Sequence, residues 1–342
     1  SRKHSSMLIV YDDLYTEHLR GLAHVESPDR VGAVARRLAA ANLFDERVCA
    51  RDASDAELLL VHSQAYLDLV KRDVEGAQAG TCLSTGDTPI DASSLAVARR
   101  AAGGVLVAME EAVRGMRATF ALVRPPGHHA EPARGMGFCL FNNAAIAAHR
   151  FARESGGRVL VVDFDYHHPN GTQAVCAAGV SLVSTHAFPA YPGTGARSES
   201  ALRDADAIVN LPLPAHAYGT EAFLATWQRL LGDVARRVQP DLIVVSAGYD
   251  YALGDPVGDL GVDGPTAAVA LASLIAEVAH TYADGRVVYC LEGGYDITTL
   301  TQCVEATVRY HREPLRDAER CSDGAIPPRQ RALLEEVTAW AS

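Results

Sequence analysis

The stretch Val159–His168, with the sequence VLVVDFDYHH, joins an apolar run to a cluster of polar residues. The continuous run of valine and leucine predicts a fully buried parallel β-strand. Side chains alternate along an extended chain, so Asp163, Asp165 and His167 are expected on one side if the extension continues. Open α/β sheets bind their ligands at the carboxyl ends of such strands. We therefore predict a metal site at this sheet edge; the alternative is an ordinary polar turn that ends a strand.

Apolar runs and stretches of helical periodicity alternate along the 342-residue chain. The other strands are predicted at residues 7–11, 118–123, 180–184, 207–211, 241–246 and 286–291, and residues 80–94 are predicted to form a loop. This alternation is typical of an α/β fold with a single, mainly parallel multi-stranded sheet and helices on both faces. Because no linker interrupts it, we predict one domain over residues 7–342. Residues 1–6, which precede Met7, are expected to be a tag or disordered.

The composition is that of a globular protein, with 48% hydrophobic and 21% charged residues. A formal net charge of −11 argues against binding to nucleic acids or to membrane surfaces. The seven cysteines are dispersed and include no CxxC pair, which indicates reduced thiols and a cytoplasmic location. The sequence also has no apolar run that approaches the length of a membrane span.

Loops after four of the predicted strands carry side chains suited to metal binding or catalysis. They contain His128-His129, Asp163–His167, Gly248–Asp250 and Gly293–Tyr295. Because carboxyl ends of parallel strands meet at one sheet edge, we expect these loops to surround a single pocket. Two aspartates and one histidine would hold a divalent ion and leave positions open for water and substrate, as in catalytic zinc sites.

These loops and several further motifs resemble the zinc-dependent histone deacetylase superfamily, in particular its bacterial histone-deacetylase-like amidohydrolases and class II branch. The motifs are HVESPDR (24–30), RPPGHHA (124–130), GFC (137–139), DFDYHH (163–168), NGTQ (170–173), PGTG (192–195), SAGYD (246–250), GDP (254–256) and LEGGY (291–295). They follow one another in the order of the family. The resemblance implies the arginase/deacetylase fold and a zinc cofactor; Fe²⁺ is the alternative metal because an Asp₂His site accepts either ion.

The resemblance also implies roles for individual side chains. The metal ligands would be Asp165, His167 and Asp250, so the third ligand comes from a distant strand. His128, oriented by Asp163, would act electrostatically, and His129, oriented by Asn170, would be the general acid and base. Tyr295 would polarise the scissile carbonyl. The alternatives are a capping role for Asp250, histidines bonded to backbone, and Tyr295 as a simple rim aromatic.

Further sites follow from the same resemblance. A structural K⁺ ion would be bound by Asp163, Asp165 and Ser184 and by the backbone carbonyl groups of His167 and Thr185. The walls of an acyl-lysine tunnel would be Gly137, Phe138 and Tyr191, and Asp87 would bind the backbone of a peptide substrate at the rim; Tyr191 as a core aromatic and Asp87 as a turn residue are the alternatives.

Two positions depart from the pattern of the family. Pro169 occupies a position where relatives usually carry glycine, which predicts an altered turn before Asn170. Val257 occupies the position of a glutamate that selects polyamines in some relatives, and an apolar side chain cannot pair with a distal ammonium group. Val257 therefore favours a neutral acyl-lysine type of substrate.

Together these features predict a metal-dependent amidohydrolase that removes acetyl or other short acyl groups from an N-acylated alkyl amine, with acyl-lysine as the expected substrate. Its partner would be a small-molecule or peptide acyl-amine, and homo-oligomer formation is left open. Two other hypotheses are an acetylpolyamine deacetylase and a non-catalytic acyl-lysine binding module. A manganese ureohydrolase is disfavoured because a second metal needs more carboxylates.

Overall fold

The central feature of the computed structural model, which describes residues 7–78, 80–203, 206–313 and 321–342, is a nine-stranded sheet. Its strand order is β2-β1-β5-β11-β10-β6-β7-β9-β8. Every neighbouring pair in this sheet is parallel except β8 with β9, and β3 pairs with β4 in a separate antiparallel hairpin. The strands are β1 (Leu8–Val10), β2 (Arg47–Val48), β3 (Thr81–Cys82), β4 (Pro89–Ile90), β5 (Ala118–Ala121), β6 (Val159–Asp163), β7 (Val180–Ala187), β8 (Ala201–Leu202), β9 (Ala207–Leu213), β10 (Leu242–Ala247) and β11 (Val287–Leu291).

Helices connect the parallel strands and cover both faces of the sheet. Helices α4 and α5 pack against each other and against the central strands, while α1, α9, α8, α7 and α10 form a second continuous group. The helices are α1 (Asp29–Ala40), α2 (Asp55–Leu58), α3 (Gln64–Glu75), α4 (Ser94–Gly115), α5 (Asn143–Ser155), α6 (Asn170–Val175), α7 (Thr220–Val238), α8 (Gly264–Tyr282), α9 (Ile297–Arg312) and α10 (Pro328–Ala341). In the part of the chain that the structure describes, no helix has the length and apolar character needed to cross a membrane.

The central strands are buried on both faces, which explains their uninterrupted apolar sequences. All five residues of β6 are buried, and so are all six residues of β10. These two strands pair in parallel, with Asp163 opposite Ser246, and on the other side of β6 Asp163 lies opposite Ser184. A polar residue at the end of each apolar run therefore joins a row of polar residues at one edge of the sheet.

Most predicted elements are confirmed, with differences at their ends. Residues 80–94 contain the hairpin β3–β4 within the predicted loop, and β7 continues to Ala187 because it keeps pairing with β9 beyond Ser184. The two-residue strands β2 and β8 were not predicted, since such short segments have no periodicity to detect. The prediction for residues 1–6 lies outside the described residues.

Candidate active site

Four adjacent strands carry the loops that form the site. Strands β5, β11, β10 and β6 are neighbours in the sheet, and they are followed by the loops of His128, Tyr295, Asp250 and Asp165 respectively. All four strands are parallel, so their carboxyl ends open on the same side. The single pocket expected from the sequence therefore has a direct origin in the strand order.

Asp165, His167 and Asp250 form a buried group in which the atoms able to bind a metal all lie within 4.8 Å of one another. Among the described residues, no other group of three or more His, Cys, Asp or Glu side chains lies this close together. His167 Nδ1 lies 3.1 Å from Asp165 Oδ1 and 3.0 Å from Asp250 Oδ2. Asp250 Oδ2 is buried, yet it has no partner within the described chain that meets hydrogen-bond geometry. A buried carboxylate oxygen without a hydrogen bond is costly, and a coordinated cation would satisfy it.

The charges of this group are strongly coupled. Burial and the neighbouring Asp165 raise the pKa of Asp250 to about 7. Burial opposes the charge of His167, but the neighbouring carboxylates of Asp165 and Asp250 outweigh it and raise the pKa of His167 to about 9. The three side chains therefore compete for protons that a divalent cation would displace on binding. The donor set fits a metal site of the catalytic type.

Two glycines leave the space in which these carboxylates sit. A Cβ atom at Gly248 would lie 1.8 Å from Asp165 Oδ2, and one at Gly293 would lie 2.6 Å from Asp165 Oδ2 and from Asp250 Oδ2. The N–H of Gly293 donates to Asp165 Oδ2 at 2.9 Å. Any larger residue at either position would collide with these carboxylates, which explains the glycines in the SAGYD and LEGGY segments.

The two consecutive histidines beside the cluster have different partners. His128 Nδ1 lies 3.1 Å from Asp163 Oδ2, whereas His129 Nδ1 lies 2.7 Å from Asn170 Oδ1. Burial would lower the pKa of His128, but Asp165 and Asp163 outweigh it and raise this pKa to about 10. Burial, together with the charges of His128 and His167, lowers the pKa of His129 well below its ordinary value. One ring is therefore an imidazolium at neutral pH while its neighbour is neutral.

Asn170 reaches His129 even though Pro169 precedes it. Pro169 occupies the N-cap of α6, and the helix begins at Asn170. The N–H of Asn170 donates to the carbonyl of His168 at 2.9 Å, which keeps the turn compact. The altered turn that Pro169 predicts does not prevent the contact with His129.

Tyr295 is held by groups from distant parts of the chain. The guanidinium of Arg30 lies 4.7 Å from the centre of the Tyr295 ring, and its Nε donates to the carbonyl of Gly294 at 2.7 Å. Asp255 Oδ2 accepts the backbone N–H of Tyr295 at 2.6 Å. Burial, opposed in part by Arg30, raises the pKa of Tyr295 well above its ordinary value. The phenol is therefore a neutral hydrogen-bond donor.

A cavity of about 270 Å³ opens above these groups. Its lining contains each predicted wall and rim residue together with the floor histidines and Tyr295: Asp87, Pro126, His128, His129, Gly137, Phe138, His167, Tyr191, Val257 and Tyr295. The ring of Phe138 contacts Tyr295 edge to face at 5.8 Å, and the ring of Tyr191 contacts His129 at 5.2 Å. Asp87 Oδ1 already accepts the N–H of Gly137 at 2.9 Å and the hydroxyl of Tyr191 at 3.4 Å.

The residues predicted to bind K⁺ lie at the same sheet edge. Asp163 and Ser184 occupy facing positions of β6 and β7. His186 Nε2 lies 2.7 Å from the carbonyl of Gly195, so its Nδ1 is free to accept the Ser184 hydroxyl proton at 2.9 Å. The Ser184 oxygen keeps lone pairs that face away from this bond. The hydroxyl of Thr185 is buried and has no hydrogen-bond partner within the described chain.

Several residues of the site were not predicted to belong to it. Pro126 lines the cavity, and Glu292 accepts the backbone N–H groups of Gly127 and His128 at 2.6 and 3.1 Å. Arg30 forms a buried ion pair with Glu26, which also pairs with Arg124. Both arginines were part of the quoted motifs, but the contacts of Arg30 with Glu292 and Gly294 span 262 and 264 residues. Separations of that size cannot be inferred from local patterns.

The chain is similar to known proteins in sequence. A sequence model described as "Histone deacetylase domain" matches residues 24–311. Histone deacetylase 15 of Arabidopsis thaliana is 33% identical over 319 residues, which cover 89% of this chain and 56% of that protein. A probable deacetylase of Archaeoglobus fulgidus is 32% identical over 297 residues, covering 84% of this chain and 81% of that protein. The chain thus spans little more than half of the plant relative.

A solved structure extends the likeness to the fold. The structure described as "Crystal Structure of HDA15 HD domain" superimposes with a TM-score of 0.85 at 30% identity and covers 99% of this chain and 95% of that one. The nine-stranded, mostly parallel sheet with helices around it is the arginase/deacetylase fold predicted from the sequence. The match of the family model to most of the sequence, and this shared fold, lead to one conclusion: the chain belongs to the histone deacetylase superfamily.

Proposed function

We propose that this chain is a metal-dependent deacetylase that hydrolyses the N-acetyl, or another short N-acyl, group of an alkyl amine, with acyl-lysine as the preferred substrate class. The observation that supports it most is the convergence of two different kinds of group in one cavity. Three buried metal-ligand side chains lie beside a neutral histidine, His129, and beside a phenol donor, Tyr295. Amide hydrolysis needs these components together: a Lewis acid, a base and an oxyanion donor.

The proposed cofactor is Zn²⁺, with Fe²⁺ as the alternative, held by Asp165, His167 and Asp250. The unsatisfied oxygen of Asp250 and the space left by Gly248 and Gly293 support the fit. Such an ion, when bound, would polarise the carbonyl and lower the pKa of a water molecule. We further propose a structural K⁺ site at Asp163, Asp165, His167, Ser184 and Thr185.

The protein's own groups would then act as follows. His129 Nε2 takes a proton from the attacking water and later delivers it to the departing amine. The Tyr295 hydroxyl donates a hydrogen bond to the carbonyl oxygen as negative charge develops there. The imidazolium of His128, paired with Asp163, adds positive charge near the same oxygen without transferring its proton.

The walls support an uncharged linker. Phe138 and Tyr191 offer aromatic faces for the methylene groups of a lysine-like chain, and Val257 adds a further apolar side chain. Among the lining residues, Asp87 is the one with a carboxylate, and its Oδ1 accepts hydrogen bonds from the Gly137 N–H and the Tyr191 hydroxyl. Both bonds are to the same oxygen of Asp87, so the preference for acyl-lysine over an acetylpolyamine rests on the apolar side chain of Val257. The cytoplasmic location and a single domain over residues 7–342 stay predictions.

The mechanism is tested with metal-reconstituted protein and a fluorogenic acetyl-lysine amide. His129→Ala and Tyr295→Phe are each expected to lower kcat by about 10²- to 10³-fold, because each removes a group that acts in the transition state. Glu335→Gln, an exposed change on α10, serves as the control. Near-normal rates for both active-site variants would contradict the proposed mechanism.

A substrate panel separates the remaining hypotheses. kcat/KM is measured for acyl-lysine peptides of increasing acyl length and for acetylputrescine and acetylspermidine. Higher values for the polyamines would support the alternative activity and contradict the interpretation of Val257. Tight binding of an acyl-lysine peptide with full metal occupancy but no turnover would instead support the non-catalytic binding module.

A further inference from the structure

The amide of Asn170 has one orientation that its surroundings permit. Its Nδ2 lies 2.8 Å from Glu131 Oε1, 3.4 Å from the carbonyl of His129 and 3.4 Å from Met136 Sδ, all of which are acceptors. Its Oδ1 lies 2.7 Å from His129 Nδ1. Exchanging the oxygen and nitrogen would place the carbonyl against three acceptors and leave the NH₂ group facing the ring. The contacts therefore determine which terminal atom of the Asn170 amide is oxygen and which is nitrogen.

This orientation determines which nitrogen of His129 carries a proton. Because Asn170 Oδ1 can only accept a hydrogen bond, the neutral imidazole must be protonated at Nδ1. Its Nε2 is then unprotonated, which is the state required of a base that takes a proton from water. The opposite amide orientation would favour a proton on Nε2 and remove that function.

Glu131 is the strongest of the three contacts that hold the amide. It is the shortest at 2.8 Å and the one made by a carboxylate, whereas the contacts to the His129 carbonyl and to Met136 are both 3.4 Å. The Glu131 backbone is itself fixed: its N–H donates to the carbonyl of Arg134 at 2.9 Å, and its carbonyl lies 3.0 Å from His62 Nδ1. The carboxylate is thus presented to Asn170 from a rigid turn.

We propose that Glu131 is a positioning residue which, through Asn170, selects the Nδ1-protonated form of His129. Glu131 belongs neither to the cavity lining nor to the metal-ligand cluster, and its carboxylate reaches His129 through the amide of Asn170. The catalytic consequence rests on the proposed function, while the assignment of the proton does not.

Glu131→Gln tests the proposal with almost no change of shape. A carboxylate accepts hydrogen bonds with both oxygens, but a glutamine amide presents either an acceptor or a donor. Turned with its NH₂ group toward Asn170, it would stabilise the exchanged amide orientation. The variant therefore removes the preference between the two orientations and leaves the turn and the packing intact.

The first readout is the protonation of His129 in metal-free protein, measured at pH 8.5 by long-range ¹H–¹⁵N NMR. The His129 signals are identified by their loss in His129→Ala. In the unchanged protein we expect the proton on Nδ1; in Glu131→Gln we expect a substantial Nε2–H population. Glu335→Gln is the matched control and should leave the spectrum of His129 unaltered.

The second readout is a rescue that a merely structural role could not produce. In the double variant Glu131→Gln/Asn170→Asp, both oxygens at position 170 are acceptors, so the proton should return to Nδ1. Persistence of Nδ1–H in the single variant, or failure of the double variant to restore it while thermal unfolding is unchanged, would overturn the proposal.

The kinetic readout is kcat in the metal-loaded protein. Glu131→Gln is expected to lower kcat by roughly tenfold with KM within about twofold, the size usual for partners that orient a catalytic group. An unchanged kcat together with an unchanged tautomer would overturn the proposal. If the unmodified protein has no deacetylase activity, the proposed function fails, and the NMR result still decides the role of Glu131.

Discussion

The floor and the walls of the cavity are held by different kinds of contact. The floor, made of His128, His129, Asp165, His167 and Asp250, is buried, and its side chains are fixed by hydrogen bonds or ion pairs. The walls are made of Phe138, Tyr191, Val257 and Asp87. They rely on ring contacts of Phe138 and Tyr191 and on two hydrogen bonds to Asp87 Oδ1, from the Gly137 N–H at 2.9 Å and from the Tyr191 hydroxyl at 3.4 Å. Tyr191 is 39% exposed.

This difference separates two functions. Substitution of a floor residue leaves a buried polar group without its hydrogen-bond partner, so the reacting groups themselves are altered. Substitution of a wall residue mainly alters the apolar surface that contacts the linker of the substrate. We therefore expect floor variants to affect kcat and wall variants to affect KM or the choice of substrate.

The largest expected effect comes from the floor residue Asp250. Asp250→Asn replaces a ligand oxygen with an amide and should reduce metal content. kcat/KM is expected to fall by about 10³-fold or more, since Lewis-acid assistance is worth several kcal/mol. Metal analysis alongside kinetics provides the check, and chelation followed by Zn²⁺ addition should abolish and restore activity in the unchanged protein. Full activity of the metal-depleted protein would contradict the proposed cofactor.

The next effect tests the contrast between the two histidines. Asn170→Asp gives His129 an acidic partner like that of His128, which should raise the pKa of His129. Because the base must be unprotonated, the acidic limb of the kcat profile should move to higher pH, so kcat should fall on the acidic side of the profile. In the unchanged protein the lowered pKa of His129 places that limb below pH 6.5. If the acidic limb of the kcat profile does not move in Asn170→Asp, a group other than His129 determines its position.

A smaller effect is expected at the wall residue Phe138. Phe138→Ala removes the ring that packs edge to face on Tyr295, and such aromatic contacts are worth about 0.5–1.5 kcal/mol. KM for an acetyl-lysine peptide should rise by about fivefold, with a smaller change in kcat. Initial-rate measurements separate the two parameters, and Leu59→Ala, at an exposed apolar residue outside the cavity lining, is the control.

The smallest effect concerns the choice of substrate. Val257→Glu adds a carboxylate at the rim, where an exposed ion pair is worth at most about 1 kcal/mol. The ratio of kcat/KM for acetylputrescine to that for acetyl-lysine peptide should therefore rise by about threefold to fivefold. A ratio that does not change would mean that Val257 does not contribute to substrate choice.

The sequence predicted the ends of the strands better than their arrangement. Apolar runs followed by Asp163, Asp250 or Tyr295 identify carboxyl ends, but the order β5-β11-β10-β6 depends on packing among distant segments. The Asn170–His129 contact was inferred from the resemblance alone. The contact of Asn170 with Glu131 was not predicted, because a turn residue gives no local sign of where its side chain points.

The contacts of Arg30 carry a consequence for protein synthesis. They join Arg30 to Glu292 and Gly294, which lie 262 and 264 residues later, so the chain must emerge from the ribosome as far as β11 before they form. Asp165 and His167 are made about eighty residues before Asp250, and Tyr295 follows later still. Since contacts this distant in sequence form slowly, a nascent chain that already contains two of the proposed metal ligands has no finished cavity. The proposed hydrolytic activity should therefore appear only after the last central strand has joined the sheet.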